Sequence, residues 1–271
     1  MQVLAINDIS CVGKCSLTVA QPIISACGAT CSVLPTALLS THTGGFTGYT
    51  FRDLTNDIPD ILSHWKSLGL RFDFIYSGYL GSIKQIDLVL TIIRDFLADD
   101  GKVIVDPVMG DSGKLYAGFT NEYIGKMREL CKKADYILPN DTEACYLTNI
   151  PYPLTKETAV TAMQILQTLC KNPIITGVNS ENKISVYFAG DKGMQVLTHD
   201  SVKGFFHGAG DLFASAFVGA LAKGKTPAQA IALCSSFVAN TIRRSANEVK
   251  DSRYGLAFEK EIYEFLQQLN K

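Results

Sequence analysis

The chain has 271 residues, of which 47% are hydrophobic and 19% are charged. This size and composition suit the core of one large α/β domain, and no repeat, low-complexity segment or linker interrupts residues 1–271, so we expect a single domain. The formal net charge of −1 gives no electrostatic footprint for nucleic acid or an anionic membrane, and no apolar run reaches the length of a membrane span. A strand-like run at residues 3–6 stands where a signal sequence would be. We therefore expect a cytoplasmic protein whose eight cysteines are reduced thiols.

Short apolar runs typical of buried strands alternate along the chain with longer segments of helical period. The strand-like runs lie at residues 3–6, 30–34, 72–76, 103–105, 136–138 and 173–178. The helical segments lie at residues 58–68, 83–97, 122–132, 158–169 and 228–244. This alternation predicts a mostly parallel sheet covered by helices on both faces. Two further runs, 184–188 and 194–198, flank the turn-forming residues 190–193 and predict an antiparallel hairpin at one edge.

Polar or glycine-rich turns follow each of the predicted parallel strands. They lie at residues 7–10, 40–45, 77–82, 106–111, 139–143 and 176–177. In open α/β sheets, ligands bind beyond the carboxyl ends of the strands. Six such turns at six strand ends therefore predict a binding site along that edge.

The segment Gly208-Ala209-Gly210-Asp211 lies between a strand-like run at 202–206 and a helical run at 212–217. Small residues let backbone N–H groups converge at a helix N-terminus, where the partial positive charge favours anions. Asp211 would then lie in the first turn, close enough to take a proton from an incoming hydroxyl group. Phosphoryl transfer to an alcohol needs this combination of charge stabilisation and a base. Taken alone, the segment fits a glycine-rich turn that starts a helix equally well.

Three motifs, in this order and spacing, resemble the ribokinase-like small-molecule kinases: residues 106–111 (DPVMGD), Pro139-Asn140-x-x-Glu143 and residues 208–211. Residues 77–82 (SGYLGS) and 40–43 (STHT) are similar, within that superfamily, to the vitamin B6 kinases. The resemblance covers nearly the whole chain. It implies a ribokinase-like three-layer α/β/α sandwich with a mostly parallel central sheet and an antiparallel edge hairpin. It also implies ATP as co-substrate, Mg²⁺, in many members a monovalent cation such as K⁺, and a homodimer.

The resemblance also assigns roles around the phosphates. Asp211 would be the catalytic base, and the amides of Gly208, Ala209 and Gly210 the anion hole. Glu143 would hold Mg²⁺ through water, with Asp106 and Asp111 adding negative charge near the β- and γ-phosphates, as suits an ion that takes few protein ligands. The residues implied to bind ATP are Asp106, Asn140, Glu143, Thr176, Gly177, Gly208, Ala209 and Gly210.

Structural alternatives exist for several of these residues. Asn140 and Glu143 also fit a helix-capping arrangement. Asp106 before a proline also fits a strand-ending turn, and Asp111 also fits a solvated turn.

On the substrate side, the resemblance points to Asp8, Ser10, Thr43, Gly44, Tyr79 and Asp211. Tyr79 also fits buried core, and His42 is expected to brace its loop more than to touch substrate. Asp8 stands where serine is more usual in the B6 kinases. Residues 40–53, rich in glycine and without hydrophobic period, are expected to form a mobile cover.

These features predict an ATP-dependent kinase that phosphorylates the 5'-hydroxymethyl group of pyridoxal, pyridoxamine or pyridoxine. His207 before Gly208 is similar to the hydroxymethylpyrimidine kinases of thiamine synthesis, although those typically carry cysteine where this chain has Asp211. A hydroxymethylpyrimidine (phosphate) kinase is therefore the alternative enzyme. A non-catalytic protein that binds a B6 vitamer or nucleotide is the alternative outside catalysis, and the intact Asp211 argues against it.

Overall fold

The computed structural model describes residues 1–190, 193–204 and 206–271. Its strands are β1 (Gln2–Val12), β2 (Thr30–Thr41), β3 (Phe51–Asp53), β4 (Phe72–Ser77), β5 (Leu97–Val105), β6 (Gly110–Asp111), β7 (Lys114–Leu115), β8 (Tyr136–Ile137), β9 (Asn172–Ser180), β10 (Lys183–Gly190) and β11 (Gly193–Asp200). Its α-helices are α1 (Leu17–Ala26), α2 (Ile58–Ser67), α3 (Ile83–Phe96), α4 (Asn121–Cys131), α5 (Asp141–Thr148), α6 (Lys156–Leu169), α7 (Ala209–Ala222), α8 (Pro227–Glu248) and α9 (Ile262–Leu269).

Nine of these strands form one sheet in the order β11-β10-β9-β8-β5-β4-β1-β2-β3. The six strands from β9 to β2 pair in parallel, so their carboxyl ends share one edge. Strands β10 and β11 add the antiparallel hairpin. The parallel sheet and its edge hairpin are thus confirmed, although Asp191 and Lys192 in the expected turn lie outside the described residues.

Side chains that alternate along the strands build a separate core on each face of the sheet. In β1, Leu4 and Ile6 pack into one core, while Val3 and Ala5 pack into the other. Helices α2 to α6 cover the first face, and α1, α7, α8 and α9 cover the second. Full burial of each large aliphatic side chain is worth about 1.5–3 kcal/mol, so both helical layers are held to the sheet mainly by these contacts. The expected three-layer α/β/α sandwich is confirmed.

Some local predictions were incomplete or wrong. Helix α1 was not predicted from the sequence, and for α5 only the helix start at Asn140 and Glu143 was predicted. Residues 40–53, expected to form a mobile cover, include regular structure at both ends: β2 continues to Thr41, and β3 pairs antiparallel with it. No strand is present at the described residues of 202–206, and Phe205 lies outside them.

None of the helices in the described parts of the chain combines the length and the apolar character needed to cross a bilayer.

Candidate active site

The start of α7 presents backbone N–H groups that no side chain of the described residues caps. Gly208 is the N-cap residue, with φ 81° and ψ 6°, and it offers no side chain to accept a hydrogen bond from the first turn. A Cβ atom at this position would overlap the carbonyl oxygen of Lys14, so the left-handed conformation and the close approach both require glycine. The first-turn amides, including those of Ala209 and Gly210, are therefore available to an external anion.

Asp211 lies in the first turn of α7, beside these amides. Burial raises the pKa of its carboxyl from 3.8 to about 6, and the charge of Asp8 adds to this effect. The backbone amide of Ser16 and the side chain of Asn7 lower the pKa in part. The carboxylate is thus ionised at neutral pH yet close enough to its pKa to exchange a proton readily, as a general base must.

Asn7 is a site residue to which sequence reasoning gave no role. It is completely buried in β1, and its Nδ2 donates to Asp211 Oδ1 at 3.3 Å. The two residues are 204 positions apart in the chain. The polar run at 7–10, predicted as a turn after the first strand, lies within β1. It was a signal for the region, but no local pattern pointed to this partner.

Two further carboxylates, Asp106 and Glu143, lie together in the same acidic region. Glu143 caps α5 in a reciprocal arrangement: its backbone N–H donates to Asn140 Oδ1 at 2.8 Å, and its Oε2 accepts from the Asn140 backbone N–H at 2.9 Å. Its Oε1 accepts from the Met109 N–H at 3.1 Å. The capping alternative for these two residues is therefore confirmed.

Both carboxyl groups have a pKa above the ordinary value. Burial is the main cause of the rise for both Asp106 and Glu143, and the negative charges of Glu143 and Asp211 push that of Asp106 further upward. No lysine or arginine among the described residues forms an ion pair with either carboxylate. Ionisation of these carboxyl groups would therefore place negative charge in the site with no basic side chain paired to it.

This charge distribution fits a divalent cation. Asp106 is only 7% exposed, and in the described parts of the chain no donor forms a hydrogen bond with its carboxylate. Asp111, in β6, accepts from the Ser112 N–H at 2.6 Å and acts electrostatically on Glu143. Across the described ranges, no three acidic, histidine or cysteine side chains are arranged as a ready metal site. An ion here would need phosphate oxygens and water to complete its shell, which is the usual manner of Mg²⁺.

Asn140, just beyond the end of β8, lies beside Thr176, which is within β9. They form an isolated parallel bridge, and the Thr176 N–H donates to the Pro139 carbonyl at 2.9 Å. Gly177 follows with φ 75°, at the irregularity where β9 pairs with β10. Asn140 Nδ2 also donates to the Gly110 carbonyl at 2.9 Å, which ties the β8 end to β6.

Asp8, Ser10 and Tyr79 form a second polar group near Asp211, since the charge of Asp8 acts on both Asp211 and Tyr79. Asp8 is buried, and its two carboxylate oxygens accept from the Ser16 hydroxyl at 2.5 Å and the Ser10 hydroxyl at 3.2 Å. Burial raises the pKa of Tyr79 to about 12, with contributions from the charges of Asp8 and Asp53. Tyr79 is half-buried rather than core, and its hydroxyl forms no hydrogen bond with the described residues.

Residues 42–46 pass over this region and are held by a segment near the C-terminus. His42 Nδ1 accepts from the Gly44 N–H at 3.1 Å, and its Nε2 lies 2.5 Å from the Arg253 carbonyl. The expectation that His42 braces its loop is confirmed. A Cβ atom at Gly44 would overlap the His207 ring, so the loop packs closely against the residue before Gly208, while Thr43 is exposed. The role of Arg253 was missed because nothing near it in the sequence indicated contact with residue 42.

Known proteins match this arrangement over most of the chain. A sequence model of the family described as phosphomethylpyrimidine kinase matches residues 24–255. The structure of a "putative phosphomethylpyrimidine kinase" from Bacteroides thetaiotaomicron, in a crystal form with pyridoxal, has a TM-score of 0.91 and 37% identity, covering 97% of this chain and 95% of that one. The pyridoxal kinase of Lactobacillus plantarum has a TM-score of 0.91 and 33% identity, covering 98% of this chain and 96% of that one.

A curated relative from Schizosaccharomyces pombe, named "putative pyridoxal kinase", is 28% identical over 192 residues. These residues make up 67% of this chain and 56% of that protein, so the chain spans little more than half of that relative's length. The family match, by contrast, covers residues 24–255, and the two structural matches cover 97% and 98% of this chain. The chain therefore belongs to the phosphomethylpyrimidine kinase family, and its resemblance to the vitamin B6 kinases of the ribokinase-like superfamily is confirmed.

Proposed function

We propose that this protein is an ATP-dependent kinase that phosphorylates the 5'-hydroxymethyl group of a vitamin B6 vitamer, giving the 5'-phosphate. The observation that carries the proposal is the pairing of Asp211, whose pKa is raised to about 6, with the uncapped amides of the α7 N-terminus. A base for the hydroxyl group and donors for the phosphoryl group thus lie within one helical turn. The B6-kinase relatives and the pyridoxal-bearing structural neighbour support the choice of substrate class.

In the proposed reaction, the Asp211 carboxylate takes the proton of the vitamer hydroxyl as its oxygen attacks the γ-phosphorus of ATP. The new P–O bond forms as the bond to the β,γ-bridging oxygen breaks, and its electron pair leaves with ADP. The amides of Gly208, Ala209 and Gly210 stabilise the negative charge on the transferred group. Positioning and charge stabilisation of this kind account for most of the rate enhancement in phosphoryl transfer.

Asp106, Glu143 and Asp111 are the residues proposed to hold Mg²⁺. When bound, the ion would neutralise the phosphate oxygens and stabilise the leaving group. Both Glu143 oxygens already accept backbone hydrogen bonds, so Glu143 is proposed to act through water. Asn140, Thr176 and Gly177 are proposed to line the nucleotide side, and K⁺ is proposed as a monovalent activator, to be tested by replacing K⁺ with Na⁺ in the assay.

On the vitamer side, Asp8, Ser10, Tyr79 and the Thr43–Gly44 backbone are proposed to surround the pyridine ring. The buried Asp8 carboxylate has two hydroxyl donors and no cation partner among the described residues. It would favour a protonated group on the substrate. Tyr79, half-buried and close to Asp8, offers an aromatic face and a hydroxyl to the same ring.

A hydroxymethylpyrimidine kinase is the second candidate, because the family carries that name and His207 precedes Gly208. Steady-state ATP turnover with pyridoxal, pyridoxamine, pyridoxine and hydroxymethylpyrimidine, compared through kcat/KM, separates the two. The highest kcat/KM with a B6 vitamer supports the proposal. The highest value with hydroxymethylpyrimidine replaces it, and tight vitamer binding without turnover favours a binding protein.

We also propose that residues 1–271 work as one kinase domain and assemble as a homodimer. Val12, Leu38 and Phe51 are exposed apolar side chains on the neighbouring strands β1, β2 and β3, a surface that a second copy would cover. Light scattering on the purified protein measures the mass, and Leu38→Lys should lower it to that of a monomer. A wild-type particle of monomer mass contradicts the dimer.

A further inference from the structure

The Asn7 side chain is held in one orientation by backbone donors. Its Oδ1 accepts from the Asp8 N–H at 3.0 Å and from the Tyr79 N–H at 2.8 Å. Because two N–H groups donate to this atom, it must be the amide oxygen, since the amide nitrogen donates hydrogen bonds and does not accept them. The Nδ2 atom must therefore point the other way, and there it donates to Asp211 Oδ1 at 3.3 Å.

Packing adds to this orientation. A Cβ atom at Gly78 would overlap the Asn7 side-chain amide, so the amide lies directly against the backbone of the β4 end. The Gly78 N–H donates to the Ile6 carbonyl at 2.8 Å, which fixes the distance between β4 and β1 at this point. Asn7 is completely buried, and β1 changes its register with β2 just after it.

The arrangement leaves the two oxygens of Asp211 in different roles. Oδ1 accepts from a neutral donor that cannot take up a proton, while Oδ2 accepts no hydrogen bond from a side chain in the described parts of the chain. The Ser16 backbone amide also donates to this carboxylate. The same amide is bonded to the backbone of Asp8 and Tyr79, so it fixes the base relative to the proposed ring-binding residues. A displacement of about 1 Å between reacting groups can cost about 100-fold in rate.

We propose that Asn7 is the positioning residue of the base: it holds Asp211 Oδ1 so that Oδ2 faces the substrate hydroxyl. This inference rests on the proposed function, which makes Asp211 the base. It adds a requirement that the proposed function alone does not contain, namely that a donor at residue 7 is needed for phosphoryl transfer but not for ATP binding.

The first test is Asn7→Asp, which keeps the shape and the oxygen that accepts from Asp8 and Tyr79 but replaces the donor with an acceptor. We expect kcat to fall by about 100-fold or more at pH 7.5, while the KM for ATP stays within about threefold. The binding stoichiometry of a non-hydrolysable ATP analogue, measured by calorimetry, reports the folded fraction. A kcat within about threefold of wild type at equal stoichiometry overturns the proposal.

Asn172→Asp is the matched control, because Asn172 Nδ2 donates to the Asp135 carbonyl at 2.9 Å, at the start of β9 and away from the acidic site. It makes the same chemical change at a strand amide and should leave kcat unchanged. A fall in kcat equal to that of Asn7→Asp would mean that lost stability, and not lost positioning, explains the effect.

The second test measures whether residues 7 and 211 interact, independently of activity. Asp211→Asn should raise the melting temperature more in the Asn7→Asp background than in wild type or in the Asn172→Asp background, because the new amide at 211 can donate to the new carboxylate at 7. The doubly substituted protein should remain inactive. Equal melting-temperature shifts in all three backgrounds overturn the pairing. If Asn7→Asp alone does not fold, adding Asp211→Asn should restore a folded protein, and failure to do so also overturns the pairing.

The two proposals can fail separately. A wild-type protein that turns over no hydroxymethyl substrate contradicts the proposed function, while the melting-temperature comparison still reports on the Asn7–Asp211 pairing. An active wild type with an unaffected Asn7→Asp variant contradicts only the inference about Asn7.

Discussion

Replacement of Asp211 by asparagine should separate catalysis from stability, because it should lower kcat while it raises the free energy of unfolding at neutral pH. Asp211→Asn keeps the size of the side chain and its place in the first turn of α7, but it removes the group that accepts the hydroxyl proton. Loss of a general base typically costs about 100- to 10,000-fold in kcat, which is about 3–5 kcal/mol of transition-state stabilisation. ATP binding should be unchanged, since the amides of 208–210 remain.

The same substitution should stabilise the fold at neutral pH. The pKa of the carboxyl is raised from 3.8 to about 6, so the folded state binds this proton more tightly than the unfolded state does. The resulting stability is present below about pH 4 and is lost as pH rises through 6. A full conversion of this rise gives about 3 kcal/mol. Because Asp211 is only partly shielded from solvent, we expect about 1–3 kcal/mol in favour of Asp211→Asn at pH 7.5.

Urea unfolding at pH 4.5 and 7.5, combined with steady-state kinetics, measures both effects. The stability gain of Asp211→Asn should be larger at pH 7.5 than at pH 4.5. The kcat/KM of the wild type should decrease as the pH is lowered through about 6, because the base becomes protonated. Asp87→Asn, at an exposed carboxylate paired with Lys126, is the control and should change neither quantity. A folded Asp211→Asn protein with near-normal kcat refutes the base assignment, and a loss of stability refutes the argument from burial.

Three further results are expected. Glu143→Gln should raise the Mg²⁺ concentration needed for half-maximal activity more than it changes the KM for the vitamer, because one carboxylate near the triphosphate is lost. The measurement is an Mg²⁺ titration at saturating ATP, and an unchanged activation curve would leave Glu143 with only its capping role. Gly208→Ala should weaken binding of an ATP analogue and lower the melting temperature, since a Cβ atom there meets the Lys14 carbonyl at φ 81°; calorimetry showing normal affinity would mean that these amides do not bind the phosphates. Backbone hydrogen exchange in residues 42–50 should slow when ATP analogue and vitamer are bound together; equal rates with and without ligands would identify a fixed wall.

Much of the fold was predictable because parallel strands have strong local signals. Residues 3–6, 72–76 and 103–105 are nearly continuous apolar runs, as strands covered on both faces require. These strands run parallel, so all of their carboxyl ends lie at the same edge of the sheet. For this reason the polar segments that follow them could be predicted to share one site. Asp106 and Asp211, expected at this edge from their positions after a strand and at a helix start, do lie close enough to interact electrostatically.

Elements without a local period were the ones that escaped prediction. Helix α1 packs against both the sheet and α7, and Val19, Ala20 and Ile23 are buried there. Its exposed face carries Gln21, Pro22, Ser25 and Ala26 but no charged residue, so it is a weak example of the polar face by which an amphipathic helix is recognised. Strand β3 has three exposed residues and exists because β2 offers it an edge. Such elements depend on contacts formed only in the folded chain.

Site geometry was less predictable than site composition. Asn7, Ser16 and Arg253 acquire their roles through partners that lie elsewhere in the chain. Ser16 has a φ of 52°, a left-handed conformation that is unfavourable for serine. It is nevertheless adopted where the Ser16 hydroxyl donates to Asp8 and its amide faces Asp211. Strain at one residue that serves two carboxylates is consistent with a functional demand overriding local preference.

Glu143 shows why a structural role and a functional role need not be alternatives. Its capping bonds to Asn140 are worth about 0.5–2 kcal/mol, and together with the Met109 N–H they fix the carboxylate at the acidic edge of the site. Glu143→Gln would turn an amide nitrogen toward one of these N–H groups and lose stability whether or not a metal binds. A lower melting temperature therefore cannot decide between the two roles. The Mg²⁺ dependence can decide, because capping is already complete before the ion arrives.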